Sequence, residues 1–165
     1  MDDSKFETVR RIAVEIGDPS HAVRLYPALS HGDLSIEMPA EHQADAVFPF
    51  GAVAGPLVFD LDEQRTLCAI EVLVPKKGWK RAERVPELPK KVPVRTLRLL
   101  GNKTELSFEG PEPTLHYVPS AEALVISIEQ QSATARWVGL SERCFAYVND
   151  GFLGGFVIAL GDARK

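Results

Sequence analysis

The sequence predicts an all-β, mainly antiparallel protein, in which two related sheets pack as a sandwich or a barrel-like single domain. Apolar and polar residues alternate along most of the chain, turn formers separate the alternating segments, and the segments recur in the same order in both halves. Alternation is typical of a half-buried strand, because successive side chains of a strand point to opposite faces.

The first alternating segment, 9–16, ends at a cluster of turn formers, 17–20, and is followed by a second one, 22–26. This order predicts a hairpin. A helix is the alternative, because Ser4 and Glu7 imitate a capping box and the apolar residues that follow have near-helical spacing.

The second half of the chain favours the strand interpretation. Segment 94–101 also begins Val-Arg, alternates, and ends in glycine, and an alternating run follows it at 105–109. We therefore expect a second hairpin at the corresponding place.

Three later pairs of segments also match in order, which predicts a duplication. They are 34–37 with 126–129, 57–62 with 144–149, and 67–73 with 153–159. The predicted organisation is a first β repeat (1–74), a proline-rich basic linker (75–93) and a second β repeat (94–165). Asp150-Gly151 predicts a tight hairpin turn between the last two strands.

The linker contains four prolines, seven positive residues and two negative ones, so it carries +5 while the whole chain carries −4. Prolines block a continuous helix, and we expect an extended, solvated segment. Binding of single-stranded nucleic acid requires at least positive charge beside an aromatic side chain on which a base can stack. The linker offers both, in Lys76, Lys77, Trp79, Lys80 and Arg81. The overall acidity argues against nucleic acid as a partner.

Size and composition predict a small globular protein of the cytoplasm. The chain has 165 residues with 45% hydrophobic content, enough for one compact domain or two very small ones. Its two cysteines, Cys68 and Cys144, cannot make a disulfide scaffold, and they are expected to pack as small apolar groups. The start of the chain does not resemble a signal peptide. The least polar stretch, 48–59, is too short and too rich in proline and glycine to cross a membrane.

Segment 115–128 contains Tyr-Val-Pro-Ser-Ala-Glu-Ala-Leu-Val-Ile, which resembles the opening of a small uncharacterised bacterial domain family with the signature Tyr-Asp-x-x-Ala-Asp-Ala-Leu-Tyr-Ile. The family's closing Leu-x-Gly-Ile-Glu-Ile-Leu resembles the end of segment 60–73. Val118 departs from the opening motif, and Val157 stands where the closing glutamate belongs. The resemblance implies a small β unit of unknown function, without established catalytic residues, some of whose relatives are suspected partners of small toxins.

Common phosphate-loop, dinucleotide, nucleophile-elbow and zinc motifs are missing from the sequence. The densest group of potential metal ligands is His21, His31, Asp33, Glu41, His42 and Asp45, whose spacing matches no recognised site. Ser30, His31 and Asp33 are triad residue types, but neighbours in one turn cannot converge as a triad does. We assign no catalytic, cofactor-binding or metal residue and expect no cofactor.

Three carboxylates are further candidates. Asp60 and Asp62 lie two apart on one predicted strand, so they are expected on one face, where they could share a proton or cation. Glu71 lies in an apolar run, where we favour a structural ion pair with Arg95 or Arg98 over a functional role.

The preferred function is a small cytoplasmic binding or structural module, neutralising or scaffolding a protein partner or associating with itself through a sheet edge or an aromatic face. The alternative is a metal-dependent or carboxylate-based enzyme centred on His31, Asp33, Asp60, Asp62 or Glu71. An enzyme requires at least three of these groups in one pocket, whereas a binding module predicts an open apolar patch.

Overall fold

A computed structural model describes residues 5–20, 22–43 and 46–161. Within these ranges the chain forms short strands joined by turns and three single-turn 3₁₀ helices, at Ala40–His42, Lys76–Gly78 and Pro119–Ala121. The strands in chain order are β1 (Phe6–Val9), β2 (Val14–Gly17), β3 (Tyr26–Ser30), β4 (Asp33–Glu37), β5 (Phe50–Ala54), β6 (Leu57–Leu61), β7 (Leu67–Val72), β8 (Lys80–Arg81), β9 (Thr96–Leu99), β10 (Glu105–Phe108), β11 (Thr114–Val118), β12 (Ala123–Ser127), β13 (Arg136–Ser141), β14 (Cys144–Asn149) and β15 (Phe152–Ala159).

The strands form two large sheets and one small one. The seven-stranded sheet has the order β1-β10-β5-β6-β7-β4-β3, and the six-stranded sheet has the order β13-β14-β15-β12-β11-β8. The third sheet contains only β2 and β9. The prediction of an all-β protein is confirmed. In the described part of the chain, no helix is long and apolar enough to cross a bilayer.

The predicted sheet arrangement is met only in part. The sheets are mixed, because β1 with β10, β10 with β5, and β8 with β11 pair in parallel while the other pairs are antiparallel. Both large sheets have distinct edge strands, so the barrel alternative is wrong. The order β5-β6-β7-β4-β3 in one sheet has the same form as β13-β14-β15-β12-β11 in the other.

The two hairpins predicted early in each half are wrong, and so is the helix alternative for the described part of 4–16. That segment contains two separate strands in different sheets, β1 and β2, and β2 pairs with β9. Pro19 biases Asp18 towards an extended conformation, which disfavours a tight reversal after β2. After β9, the chain crosses to the seven-stranded sheet through a loop held by Arg65, which donates to the carbonyls of Leu99 and Lys103, both at 2.8 Å.

The predicted turn at the end of the chain is confirmed. Asp150 and Gly151 have φ values of 50° and 90°, and the flanking strands β14 and β15 pair antiparallel. A two-residue turn with positive φ at both positions matches the natural twist of the strands.

One apolar core is shared by both large sheets. Inward residues of β6 and β7 pack in the same cluster as inward residues of β12 and β15. Phe59 and Phe156, each completely buried, meet across the sheets with ring centroids 6.1 Å apart. Each large sheet therefore covers the apolar side of the other.

The outer face of the six-stranded sheet is also covered. Its apolar side chains, Val118, Val125, Trp137, Tyr147 and Val157, pack against part of the linker, from Ala82 through Val85 and Leu88 to Val92. We call residues 82–92 the strap. The expectation of a solvated linker is wrong for the apolar side chains of the strap, which are partly buried against the sheet, while its charged residues are exposed.

Candidate functional site

The outer face of the seven-stranded sheet differs from that of its neighbour, because it is open and acidic. Side chains along a strand alternate between faces, so the buried residues of β4, β6 and β7 leave the residues between them on the outside. Five carboxylates lie there, two on β4 and one each on β7, β6 and β10, and together we call them the acidic face: Asp33, Glu37, Asp60, Glu71 and Glu105.

Register explains why these carboxylates share one surface. Asp60 lies opposite Gly51 on one side and Ala69 on the other, and Ala69 lies opposite Glu37. Glu105 pairs with Gly51, and a side chain on Gly51 would come within 2.9 Å of the Glu105 carboxylate. Four of the five carboxylates, all except Glu105, line a shallow groove of about 450 Å³ over β4 and β7.

Two features set the chemistry of this groove. Among the described residues of the seven strands, no lysine or arginine shares the acidic face, and no described cation forms an ion pair with Asp60 or Glu71. Burial, reinforced by the charge of Glu71, raises the pKa of Asp60 above its usual 3.8. Negative charge is therefore concentrated where it opposes folding, a conflict that proteins tolerate at functional sites.

We expect Asp60→Asn to stabilise the protein slightly at pH 7. A carboxyl whose folded-state pKa is raised loses folding free energy on ionisation, so the cost is present above its folded pKa and absent below the usual value of 3.8. The gain should be only a few tenths of a kcal/mol, because water screens this half-buried group. Urea unfolding at pH 7 and near pH 3 should show it at the higher pH only. Destabilisation by Asp60→Asn at pH 7 would contradict this account.

The predicted pair of Asp60 and Asp62 does not form. β6 ends at Leu61, so Asp62 lies beyond the strand and does not share its outer face with Asp60. Asp62 instead closes the turn between β6 and β7, where its Oδ1 accepts hydrogen bonds from the backbone of Gln64 and Thr66, both at 2.9 Å. Its role is structural.

The preferred ion pair of Glu71 with Arg95 or Arg98 is also wrong. Arg98 donates to Glu15 at 2.6 Å, and Arg95 donates to its neighbouring carbonyl, that of Val94. Glu71 is exposed on the acidic face, so it needs no buried partner.

The predicted metal ligands are scattered where they are described. His21 and Asp45 lie outside the described residues. His31 lies at the β3–β4 turn, whereas His42 lies in the 3₁₀ helix at Ala40–His42, with its Nε2 3.5 Å from the carboxylate of its neighbour Glu41. In the ranges that the structure covers, no three His, Cys, Asp or Glu side chains come close enough to hold a metal ion.

The enzyme alternative meets its requirement of three candidate groups in one pocket, since Asp33, Asp60 and Glu71 line one groove. That groove lies on an open sheet face. Acid catalysis by a carboxyl depends on a site that excludes water, and a shallow groove does not provide one.

Other sequence candidates lie in the interior. Trp79 is 7% exposed and donates its indole N–H to the carbonyl of Val74 at 2.8 Å, so it cannot serve as a platform for stacked bases. Cys68 and Cys144 are free and buried, and burial raises the pKa of both thiols to about 12. Neither thiol has the chemistry of a nucleophile at neutral pH.

Glu37 and Glu105 belong to the acidic face but were not among the sequence candidates. Glu37 could have been found, because it follows Ile36 in strict alternation. Glu105 could not, because its place depends on the parallel pairing of β10 with β5, two strands far apart in sequence.

No protein family matches the chain, and no curated protein matches it significantly. The resemblance to the small bacterial domain family stays a prediction.

Proposed function

We propose that this protein is a binding module that docks a positively charged segment of a protein partner on the acidic face. The observation that carries the proposal is the concentration of five carboxylates on one open sheet face, without a lysine or arginine among the strand residues that share it. A complementary segment would neutralise charges that otherwise repel each other, and opposite potentials also speed association.

The acidic face also offers apolar contacts. Val53 and Leu73 are among the exposed large apolar residues, at 45% and 55%, and Val58 pairs with Val53 on the same face. A partner segment rich in lysine or arginine with an interspersed apolar residue matches this surface. The apolar residue would add affinity that salt does not screen.

Two other surfaces considered for binding are less suitable. The aromatic face of the six-stranded sheet, with Trp137 and Tyr147, is occupied by the strap. The outer edge of β13 is also used, because Gly139 exchanges hydrogen bonds with Pro93 and Arg95 at 2.7 and 2.9 Å. The acidic face therefore remains the best docking surface among the described residues.

The test uses a short lysine-rich peptide that contains one leucine. The control is the same peptide with every lysine replaced by glutamate. We expect only the lysine-rich peptide to bind, and Asp60→Asn with Glu71→Gln to weaken its binding at least about tenfold, measured by fluorescence anisotropy at low salt. Glu83→Gln with Glu87→Gln removes the same charge from the strap and should leave affinity unchanged. Equal weakening by both double variants would mean that only net charge matters and would overturn the proposal.

The same variants identify the partner. Isolation of the native protein from cells, followed by mass spectrometry, should recover a protein that wild type and the strap variant retain and that the Asp60→Asn, Glu71→Gln variant loses. A set of captured proteins that is identical for all three would contradict docking on the acidic face.

We further propose that the chain is an internal duplication, as the sequence predicts. The matching order of five strands in the two large sheets supports this. Aligning Val9 with Val94 also aligns Val14 with Leu99, and these two residues pair directly between β2 and β9. Two copies would then meet around an approximate two-fold axis in the small sheet.

The resemblance to a family with suspected toxin partners supports neutralisation of a protein partner as the purpose of docking. We place this activity in the cytoplasm, in keeping with two free, buried cysteines.

A further inference from the structure

We propose that a second cleft, which shares only Asp33 with the groove on the acidic face, binds a phosphate monoester carried by a small molecule. The cleft measures about 620 Å³ and lies where the β3–β4 turn meets Lys76, Lys77, Arg81 and Tyr117. This volume is within the usual range of roughly 300–1,000 Å³ for small-molecule sites.

Charge balance points to a dianion. The cleft is lined by three positive side chains, those of Lys76, Lys77 and Arg81, and by one carboxylate, that of Asp33. Two positive charges are left over, and a phosphate monoester carries nearly two negative charges at neutral pH. In a chain with a net charge of −4, this local reversal of sign needs a reason.

The positive segment is held in place by the fold. The backbone N–H of Lys76 donates to the carbonyl of Gly32 at 2.9 Å, and the Lys76 ammonium lies 4.9 Å from the ring centroid of Tyr117. The buried Trp79 belongs to the same segment and packs against Tyr117, with ring centroids 6.3 Å apart. A ligand would therefore meet a backbone that is already fixed and, at Lys76, a side chain that already has a contact. The Tyr117 ring would give it an apolar contact.

His31 is the second observation that points to a ligand. His31 and Gly32 have φ values of 55° and 88°, the left-handed pair of a tight hairpin turn that strongly prefers asparagine or glycine first. A histidine there carries backbone strain, and strained residues cluster at ligand sites. The Ser30 hydroxyl lies 3.1 Å from Nδ1. When Ser30 donates this hydrogen bond, the neutral ring keeps its proton on Nε2, which can donate to a phosphate oxygen.

Titration with phenyl phosphate, followed by amide NMR shifts, tests the proposal. We expect shifts at His31, Gly32 and 76–81, and weaker binding of benzenesulfonate, which has the same ring but one negative charge. Lys77→Gln with Arg81→Gln should weaken phenyl phosphate binding at least about tenfold. The matched control, Lys90→Gln with Lys91→Gln, removes the same charge from the strap and should bind as wild type does.

A variant of the turn separates binding from folding. His31→Asn supplies the residue that the turn prefers, so the midpoint of thermal unfolding should stay the same or rise while the affinity for phenyl phosphate falls several-fold. Three results would each overturn the proposal. They are an unchanged affinity in His31→Asn, equal weakening by the cleft pair (Lys77→Gln with Arg81→Gln) and the strap pair (Lys90→Gln with Lys91→Gln), and amide shifts that lie away from the cleft. Much tighter binding of a phosphoserine peptide than of phenyl phosphate would overturn the small-molecule assignment and point to a phosphorylated protein.

Discussion

Phe59→Ala is expected to destabilise the protein by about 3–5 kcal/mol, because it removes a fully buried aromatic ring from the contact between the two large sheets. Phe156→Ala should cost a similar amount, since its ring is the partner across the core. The loss combines the transfer of the ring from water with the cavity that close-packed neighbours cannot fill. Urea unfolding followed by tryptophan fluorescence measures both.

A double-mutant cycle on Phe59 and Phe156 shows whether the two sheets act as one unit. The rings lie 6.1 Å apart and tilted by 38°, so a coupling of about 0.5–1.5 kcal/mol is expected. Phe6→Ala is the control, because Phe6 is half exposed at a sheet edge and should cost no more than about 0.5 kcal/mol. Strict additivity of the two core substitutions, or an equal cost for Phe6→Ala, would contradict a shared core.

Gly155→Ala is expected to cost about 3 kcal/mol or more, or to prevent folding. A Cβ at this position would collide with the carbonyl oxygen of Ile126 and come within 2.8 Å of the Tyr147 ring. The carbonyl belongs to the backbone of β12, so the collision can be relieved only by separating β12 from β15. The Tyr147 ring is itself fixed, because its hydroxyl donates to the carbonyl of Glu129 at 2.8 Å.

The control for Gly155 is Gly151→Ala. A Cβ on Gly151 would meet open space, and the only penalty is its φ of 90°, which costs about 1–2 kcal/mol. Soluble yield and the urea midpoint should therefore rank Gly155→Ala well below Gly151→Ala. If Tyr147→Ala restored the stability of Gly155→Ala, the ring and not the backbone would be the obstacle, contrary to this expectation.

Many strands could be predicted from the sequence because alternation is a local property. Segments 34–37, 57–62, 67–73 and 144–149 each contain most of an observed strand, and the Asp150-Gly151 turn lies where its residues require positive φ. Pairing was predicted correctly where a short turn forces neighbours together, as between β14 and β15. It failed at β2, where the sequence predicted a hairpin and the structure pairs β2 with β9.

The candidate site was predictable in residue type but not in arrangement. Asp60 and Glu71 were singled out, yet Asp62 was wrongly grouped with Asp60, because β6 ends at Leu61 and the alternating pattern of the sequence does not mark that end. A β-bulge in β7 also buries Leu67 and Cys68 together, in place of the strict alternation expected there, and it leaves no clear pattern in the sequence.

The sequence by itself determined the all-β class, the position of the strongest turn and the acidic residues from which a docking face could be built. These follow from side-chain chemistry and from the two-residue period of a strand, which act over a few residues. Only the tertiary structure decided that β10 adds Glu105 to that face, that the strap covers one sheet and leaves the other open, and that three cations gather beside His31. Each of these depends on contacts between segments far apart in the chain, and their free energy comes from burying surfaces that no local pattern specifies.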